Sequence, residues 1–194
     1  MLRRAIRRAQ RSGEAARNVA ELAELPAAPT RKSQALTEVQ VRALLALKLS
    51  PWWRAFIVTA VMTGLRPGEL LGIRWENVDF EAAVIRVRVS LKRVRVGGGY
   101  KLQLRELKTE RSKRTLRMAV PVRGVLTVLR RAQAADRLRL GAMYDDQGIM
   151  FCGPSGTPRH NQGVRDRYRR LCLRAGIGGE WQLRETRHTF ISQL

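Results

Sequence analysis

The 194-residue chain has two cysteines, Cys152 and Cys172, and two histidines, His160 and His188. Two cysteines in no metal-like spacing provide neither a disulfide framework nor a zinc cluster. No metal or other cofactor is expected, and a reducing cytoplasm is the expected location. Aromatic residues make up 6% of the chain. No apolar run is long enough to span a bilayer. An anionic membrane surface would call for a basic amphipathic helix with aromatic anchors. The Arg-rich start, Met1 to Arg11, has the charge of a transit peptide, but Glu14 and Glu21 follow it and serine enrichment is absent. Acid is scarce throughout: 16 Asp plus Glu stand against 38 Lys plus Arg, a formal net charge of +22. A folded domain this basic repels itself unless it meets a polyanion, and nucleic acid is the usual one. Hydrophobic content of 44% excludes a merely disordered basic tail.

The residues that are present divide the chain in two. Residues 2–23 read as one helix, or two short ones broken near Gly13, with Leu2, Ile6 and Ala9 on a common face among arginines. Leu25 to Ser33 carries two prolines and reads as a basic linker. Beyond it, Thr37 and Gln40 form a capping box ahead of apolar residues at helical spacing. Pro51 opens a helix that Gly64 closes, and a short helix follows Pro67. From Val84 the period falls to two, which predicts a strand over Val84–Leu91. A Gly97–Gly99 turn, a returning strand over Tyr100–Leu107 and a third over Arg114–Met118 complete a small antiparallel sheet. Helices are expected over Val122–Leu140, Gln162–Ala175, and from Leu183 to the end at Leu194. The fold class is therefore α+β, mostly helical, with a three-stranded antiparallel sheet.

Four features carry chemistry. Between Arg86 and Arg117 stand twelve Lys or Arg and two acids, Glu106 and Glu110. Strand alternation puts Arg86, Arg88 and Lys92 on one face, suited to a phosphate backbone; a solvated face is the bland alternative. In Thr63-Gly64-Leu65-Arg66-Pro67-Gly68-Glu69-Leu70, Arg66 falls at a helix start, near backbone N–H groups that favour an anion. Glu69, three residues on, can hold its guanidinium. Lys108-Thr109-Glu110-Arg111-Ser112-Lys113-Arg114 lies between two predicted strands, where a lysine is either solvated or a proton donor to a neighbouring site. Last, Arg184 and Arg187 stand three apart in Leu183-Arg184-Glu185-Thr186-Arg187-His188-Thr189, so a helix would turn both to one side as a phosphate clamp.

In this order the features resemble the tyrosine recombinase, or phage integrase, family. That family shows T-G-L-R-x-x-E-L, then K-T-x-x-S-x-R, then H-x-L-R-H-T. The first is matched in full over Thr63–Leu70, the second at Lys108, Thr109, Ser112 and Arg114, and the third at Arg187, His188 and Thr189. Arg184 stands where the family has His, and an arginine there donates hydrogen bonds and charge but cannot act as a base.

The resemblance implies four catalytic residues, Arg66, Lys108, Arg184 and Arg187, with Glu69 in support. Arg66 and Arg187 would hold the scissile phosphate, and Lys108 would protonate the leaving 5′ oxygen. Arg86, Arg88, Lys92, Arg111 and Arg114 are the expected DNA contacts. The expected partner is double-stranded DNA, on which full-length members assemble as tetramers.

The family's nucleophilic tyrosine follows the R-H-T motif, whereas Tyr100, Tyr144 and Tyr168 all precede it. The chain is thus expected to be a piece of the enzyme: residues 1–25 from the core-binding domain, 26–35 as linker, and 36–194 as a C-terminally incomplete catalytic domain. The alternatives are a non-catalytic DNA-binding fragment or gene remnant, and an unrelated basic RNA-binding protein.

Overall fold

The structure is a computed structural model, which describes residues 2–23 and 34–192. Most of the expected linker therefore lies outside the described residues. The chain divides into two compact units, Met1–Lys32 and Ser33–Leu194.

In the first unit, helix α1 spans Leu2–Arg11. It stops before Gly13, whose φ of +76° leaves the helical region at little cost for a residue without Cβ. The second half is a single 3-10 turn, Val19–Glu21, not another α-helix. Arg3 folds back to donate to the carbonyls of Ala20 and Ala23, and Arg7 pairs with Glu21. The face shared by Leu2, Ile6 and Ala9 buries no residue fully.

The second unit opens with α2 (Glu38–Ala46), started by the expected capping box: Thr37 Oγ1 accepts from Gln40 N–H, and Gln40 Oε1 accepts from Thr37 N–H. Helix α3 (Pro51–Thr63) is the centre of the core. Trp52, Phe56 and Phe151 pack ring to ring at 4.9–5.6 Å, while Ile57 and Ala60 are buried beside them. A fully buried side chain of the size of Phe56 contributes about 1.5–3 kcal/mol. Helix α4 (Pro67–Gly72) follows at once, and helices α5 (Val120–Leu140), α6 (Asn161–Arg174) and α7 (Glu185–Ser192) complete the unit. Leu126 and Leu129 of α5 and Tyr168 of α6 reach the same core.

The β structure is partitioned differently from the expected sheet. Strands β1 (Val78–Asp79), β2 (Val84–Val87) and β5 (Arg114–Arg117) form a three-stranded antiparallel sheet in the order β1-β2-β5. Strands β3 (Val89–Val96) and β4 (Gly99–Glu106) form a separate two-stranded ladder around the Gly97–Gly98 turn. The strand expected over Val84–Leu91 thus breaks at Arg88. Ser90 and Leu91 are consecutive and both buried, which period-two alternation forbids in a flat strand.

Packing explains the break. Helix α4 lies on this point of β3 through two glycines four residues apart. A Cβ on Gly72 would meet Leu91 N at 2.8 Å and Ser90 Cα at 3.0 Å, and one on Gly68 would meet Ser90 Oγ at 2.9 Å. Only bare backbone allows this approach.

Candidate active site: three motifs on one turn

Helices α4 and α7 start by the same local device. At α4, Glu69 Oε2 accepts from the Arg66 backbone N–H at 3.0 Å. At α7, Glu185 Oε2 accepts from the Gln182 N–H at 2.6 Å. In both cases an acid three residues on occupies the donor that a helix start leaves unpaired. One backbone N–H at this helix entrance, that of Arg66, is therefore taken by the chain's own carboxylate.

Glu69 does more than cap. Its Oε1 accepts from Arg66 Nη1 at 3.0 Å, and its Oε2 also accepts from Arg114 Nη2 at 2.8 Å. The carboxylate is 3% exposed, between an Arg66 side chain 62% exposed and an Arg114 side chain 28% exposed. Burial alone would push this carboxyl group up. The bonds from Arg114 and from the backbone and side chain of Arg66 outweigh it and hold Glu69 below its ordinary range. The acid is thus an anion at neutral pH, and it aims one well-exposed guanidinium outward.

Arg187 reaches the same turn from α7. Its Nη1 donates to the Gly64 carbonyl at 2.9 Å. Gly64 caps α3 with φ +58°, a left-handed turn that glycine takes without strain. Thr189, further along α7, donates to Glu185 O and accepts from Leu36 N–H at 2.9 Å.

The Lys108 segment is tied in at its far end. The Leu107 N–H donates to Arg88 O, the last rung before the chain leaves the ladder. Lys108 then stands exposed in the β4–β5 connection. The hydroxyls of Thr109 and Ser112 bond at 2.8 Å across a 3-10 turn, returning the chain to Arg114 and so to Glu69. Lys113 is engaged with Glu110 and Glu106, which raises its affinity for a proton.

The structure thus gathers Arg66, Glu69, Arg114 and Arg187 around the Gly64–Glu69 turn. Arg184 is not paired with Arg187 on a buried face. The glutamate cap starts α7 at Glu185, one residue after Arg184, so Arg184 is exposed while Arg187 is half-buried. Of the expected DNA contacts, Lys92 is exposed. Arg86 pairs with Asp79 at 3.0 Å, and Arg88 donates to the Val87 and Arg114 carbonyls. Arg114 is turned to Glu69. The Arg111 side chain lies outside the described residues. Sequence reasoning missed the paired role of Arg114 and the cap at Glu185, although Arg66 and Gln182 are each followed by Glu at the same spacing.

Other features stand apart. A cavity of about 250 Å³ lies beside α5 between Trp75, Arg130, Gln133 and Tyr144, and none of Arg66, Glu69, Arg114 and Arg187 lines it. Among the described residues no cluster of His, Cys, Asp and Glu is arranged to hold a metal ion. Nor is any helix among them long and apolar enough to cross a membrane. Each tyrosine is engaged elsewhere. Tyr100 lies under Arg93 beside the hairpin turn, and Tyr168 is buried in the core. Tyr144 is bonded to Cys152, and burial first, then that sulfur, push its hydroxyl up.

Three spaced motifs converging on one turn, in a mostly helical unit with a small antiparallel sheet, define a class. The chain belongs to the phage integrase family, whose profile it matches over residues 34–194. It is 34% identical over 204 residues to an integrase of Streptomyces ambofaciens, covering 100% of this chain and 50% of that protein. It is 29% identical over 149 residues to a XerC-like tyrosine recombinase of Caldanaerobacter subterraneus subsp. tengcongensis, covering 73% of this chain and 38% of that protein. The chain thus spans half or less of the length of these relatives. Its fold is shared with the Tn1549 transposon integrase, solved in complex with a circular intermediate DNA: TM-score 0.73, 21% identity, 99% of this chain and 63% of that one.

Proposed function

We propose that this chain binds double-stranded DNA through the phosphate backbone and carries the phosphate-activating part of a tyrosine recombinase catalytic domain. The supporting observation is the meeting of Arg66, Glu69 and Arg187 at one turn. Arg66, braced by Glu69, and Arg187 take the non-bridging oxygens of the scissile phosphate and stabilise the charge that builds in its five-coordinate transition state. Exposed Lys108 donates the proton to the leaving 5′ oxygen. Arg184 adds charge and hydrogen bonds from the solvent side. Lys92 and its neighbours on β3 contact the backbone. The attacking tyrosine comes from outside these 194 residues, since Tyr100, Tyr144 and Tyr168 are all engaged elsewhere. Residues 1–25 correspond to the end of the core-binding domain, 26–35 to a linker and 36–194 to the catalytic domain. A cytoplasmic setting suits the two free, buried cysteines.

Two measurements test the reading. Binding to a duplex oligonucleotide should weaken steeply as salt rises, because each neutralised phosphate releases counterions. A preference for RNA over duplex DNA at matched salt would overturn it. On a nicked suicide duplex the chain alone should form no covalent adduct; an adduct would contradict an external tyrosine.

A further inference from the structure

By sequence, Arg114 is expected to contact DNA. Its bonds point elsewhere. Nη2 donates to Glu69 Oε2 at 2.8 Å and Nη1 to the Ser112 carbonyl at 3.2 Å. Both ends of the fork are taken up within the protein, and the side chain is 28% exposed. Arg66, on the other side of the same carboxylate, is 62% exposed and spends one guanidinium N–H on Glu69, leaving donors for a ligand.

We propose that Arg114 is a positioning residue, which holds the buried carboxylate that holds Arg66 and so fixes the Lys108 loop against the Arg66 turn. The inference rests on the reading of Arg66 as a phosphate ligand. Glu69 joins two motifs through Arg114, 45 residues further along the sequence. Each of its oxygens accepts from a guanidinium, so the carboxylate plane is set from two sides. Without Arg114, Glu69 keeps only Arg66 and its backbone N–H, and can rotate with it. The loop carrying Lys108 loses one of its two ties at the same moment, because Arg114 also closes on Ser112. This gives the K-T-x-x-S-x-R spacing a mechanical reason. The Thr109–Ser112 hydroxyl bond turns the chain back, and the arginine two residues later reaches the acid. A lysine in its place is a point charge that can pair with Glu69 but cannot fork to Ser112 as well.

The test uses isotope-labelled full chain and inorganic vanadate, a phosphate mimic that can adopt five-coordination. The Arg66 side-chain N–H resonance reports vanadate binding, and the Glu69 carboxyl carbon reports titration. In the wild type the Arg66 signal should move and saturate. Arg114→Gln should weaken vanadate binding about tenfold, the effect of removing one charge-assisted bond. It should also move the Glu69 titration to higher pH. Arg114→Lys should recover the Glu69 titration but only part of the vanadate affinity. Thermal melts of both variants establish that they are folded. Arg114→Gln protein that is folded, binds vanadate like the wild type and shows an unmoved Glu69 titration overturns the inference. An Arg66 signal that ignores vanadate in the wild type overturns the phosphate reading itself, and with it Arg114's part in phosphate binding.

Discussion

The Gly64–Glu69 turn and the β3–β4 hairpin are both rich in cations and use them in opposite ways. At the turn, Arg66, Arg114 and Arg187 each spend hydrogen bonds on protein oxygens. On the hairpin, Lys92, Arg93, Arg95, Lys101 and Arg105 are the cations, and Glu106 at its end is the only acid. Arg93 lies over Tyr100 and Arg105 donates to Gln103, but none of the five forms an ion pair among the described residues. The first set is geometry with charge attached. The second is charge with little geometry. Direction is needed where a single phosphate is gripped, whereas a field suffices where a backbone is only approached.

The contrast can be broken most forcefully at Glu69. Glu69→Ala strands a partly buried Arg114 and leaves the Arg66 backbone N–H unpaired, and should cost about 3 kcal/mol in a urea unfolding experiment. A cost under about 1 kcal/mol, the level of an exposed ion pair, would mean that the turn is as loosely held as the hairpin. Gly72→Ala comes next. Its Cβ would run into the backbone of Ser90 and Leu91, and overpacking of this kind costs about 1–3 kcal/mol. The same unfolding experiment reads the effect, and a neutral result would show that α4 and β3 can separate freely.

pH sharpens the comparison. Glu69 is held below its ordinary 4.5 in the fold, so around and below that value the unfolded chain binds protons more readily than the native one. Its stabilising contribution is fully present above about pH 5 and is lost as pH falls through the native value. Glu69→Gln should therefore flatten the acid limb of stability against pH, and an unchanged limb would count against the pairing. On the hairpin the expected effect is smaller and of another kind. Neutralising Lys92, Arg95 and Lys101 should change unfolding stability by no more than about 0.5 kcal/mol for each substitution. The same change should reduce the logarithmic salt slope of duplex binding by roughly 0.9 for each phosphate no longer neutralised. Overall DNA affinity should fall less than about tenfold on Arg66→Ala, because many other cations share the backbone. Abolished binding would make Arg66 an affinity residue, not a reaction residue.

The elements ruled by neighbours in sequence were legible. The Thr37–Gln40 box, the Gly64 stop and the Pro67 start depend on residues within one turn, and the three motifs announced themselves by spacing. The division of the β structure was not. Whether Ser90 and Leu91 can both be buried is decided by Gly68 and Gly72, on the helix before the sheet, and alternation carries no trace of that approach. Charge density hides the partners of individual cations for a related reason. Arg86, Arg88 and Arg114 belong to the same cationic stretch as Lys92, but Asp79, backbone carbonyls and Glu69 claim them. A pattern counts arginines; only the fold shows which have found an oxygen.

The bond from Leu36 N–H to Thr189 Oγ1 has a mechanical consequence. Where the chain enters the larger unit, this bond ties it to the helix that carries Arg187. Leu36 is also part of the core that holds Phe56, so a shift of its backbone would be felt at Thr189 and in the core together. Leu36 is in this sense pinned to the helix that carries Arg187, two residues from that arginine.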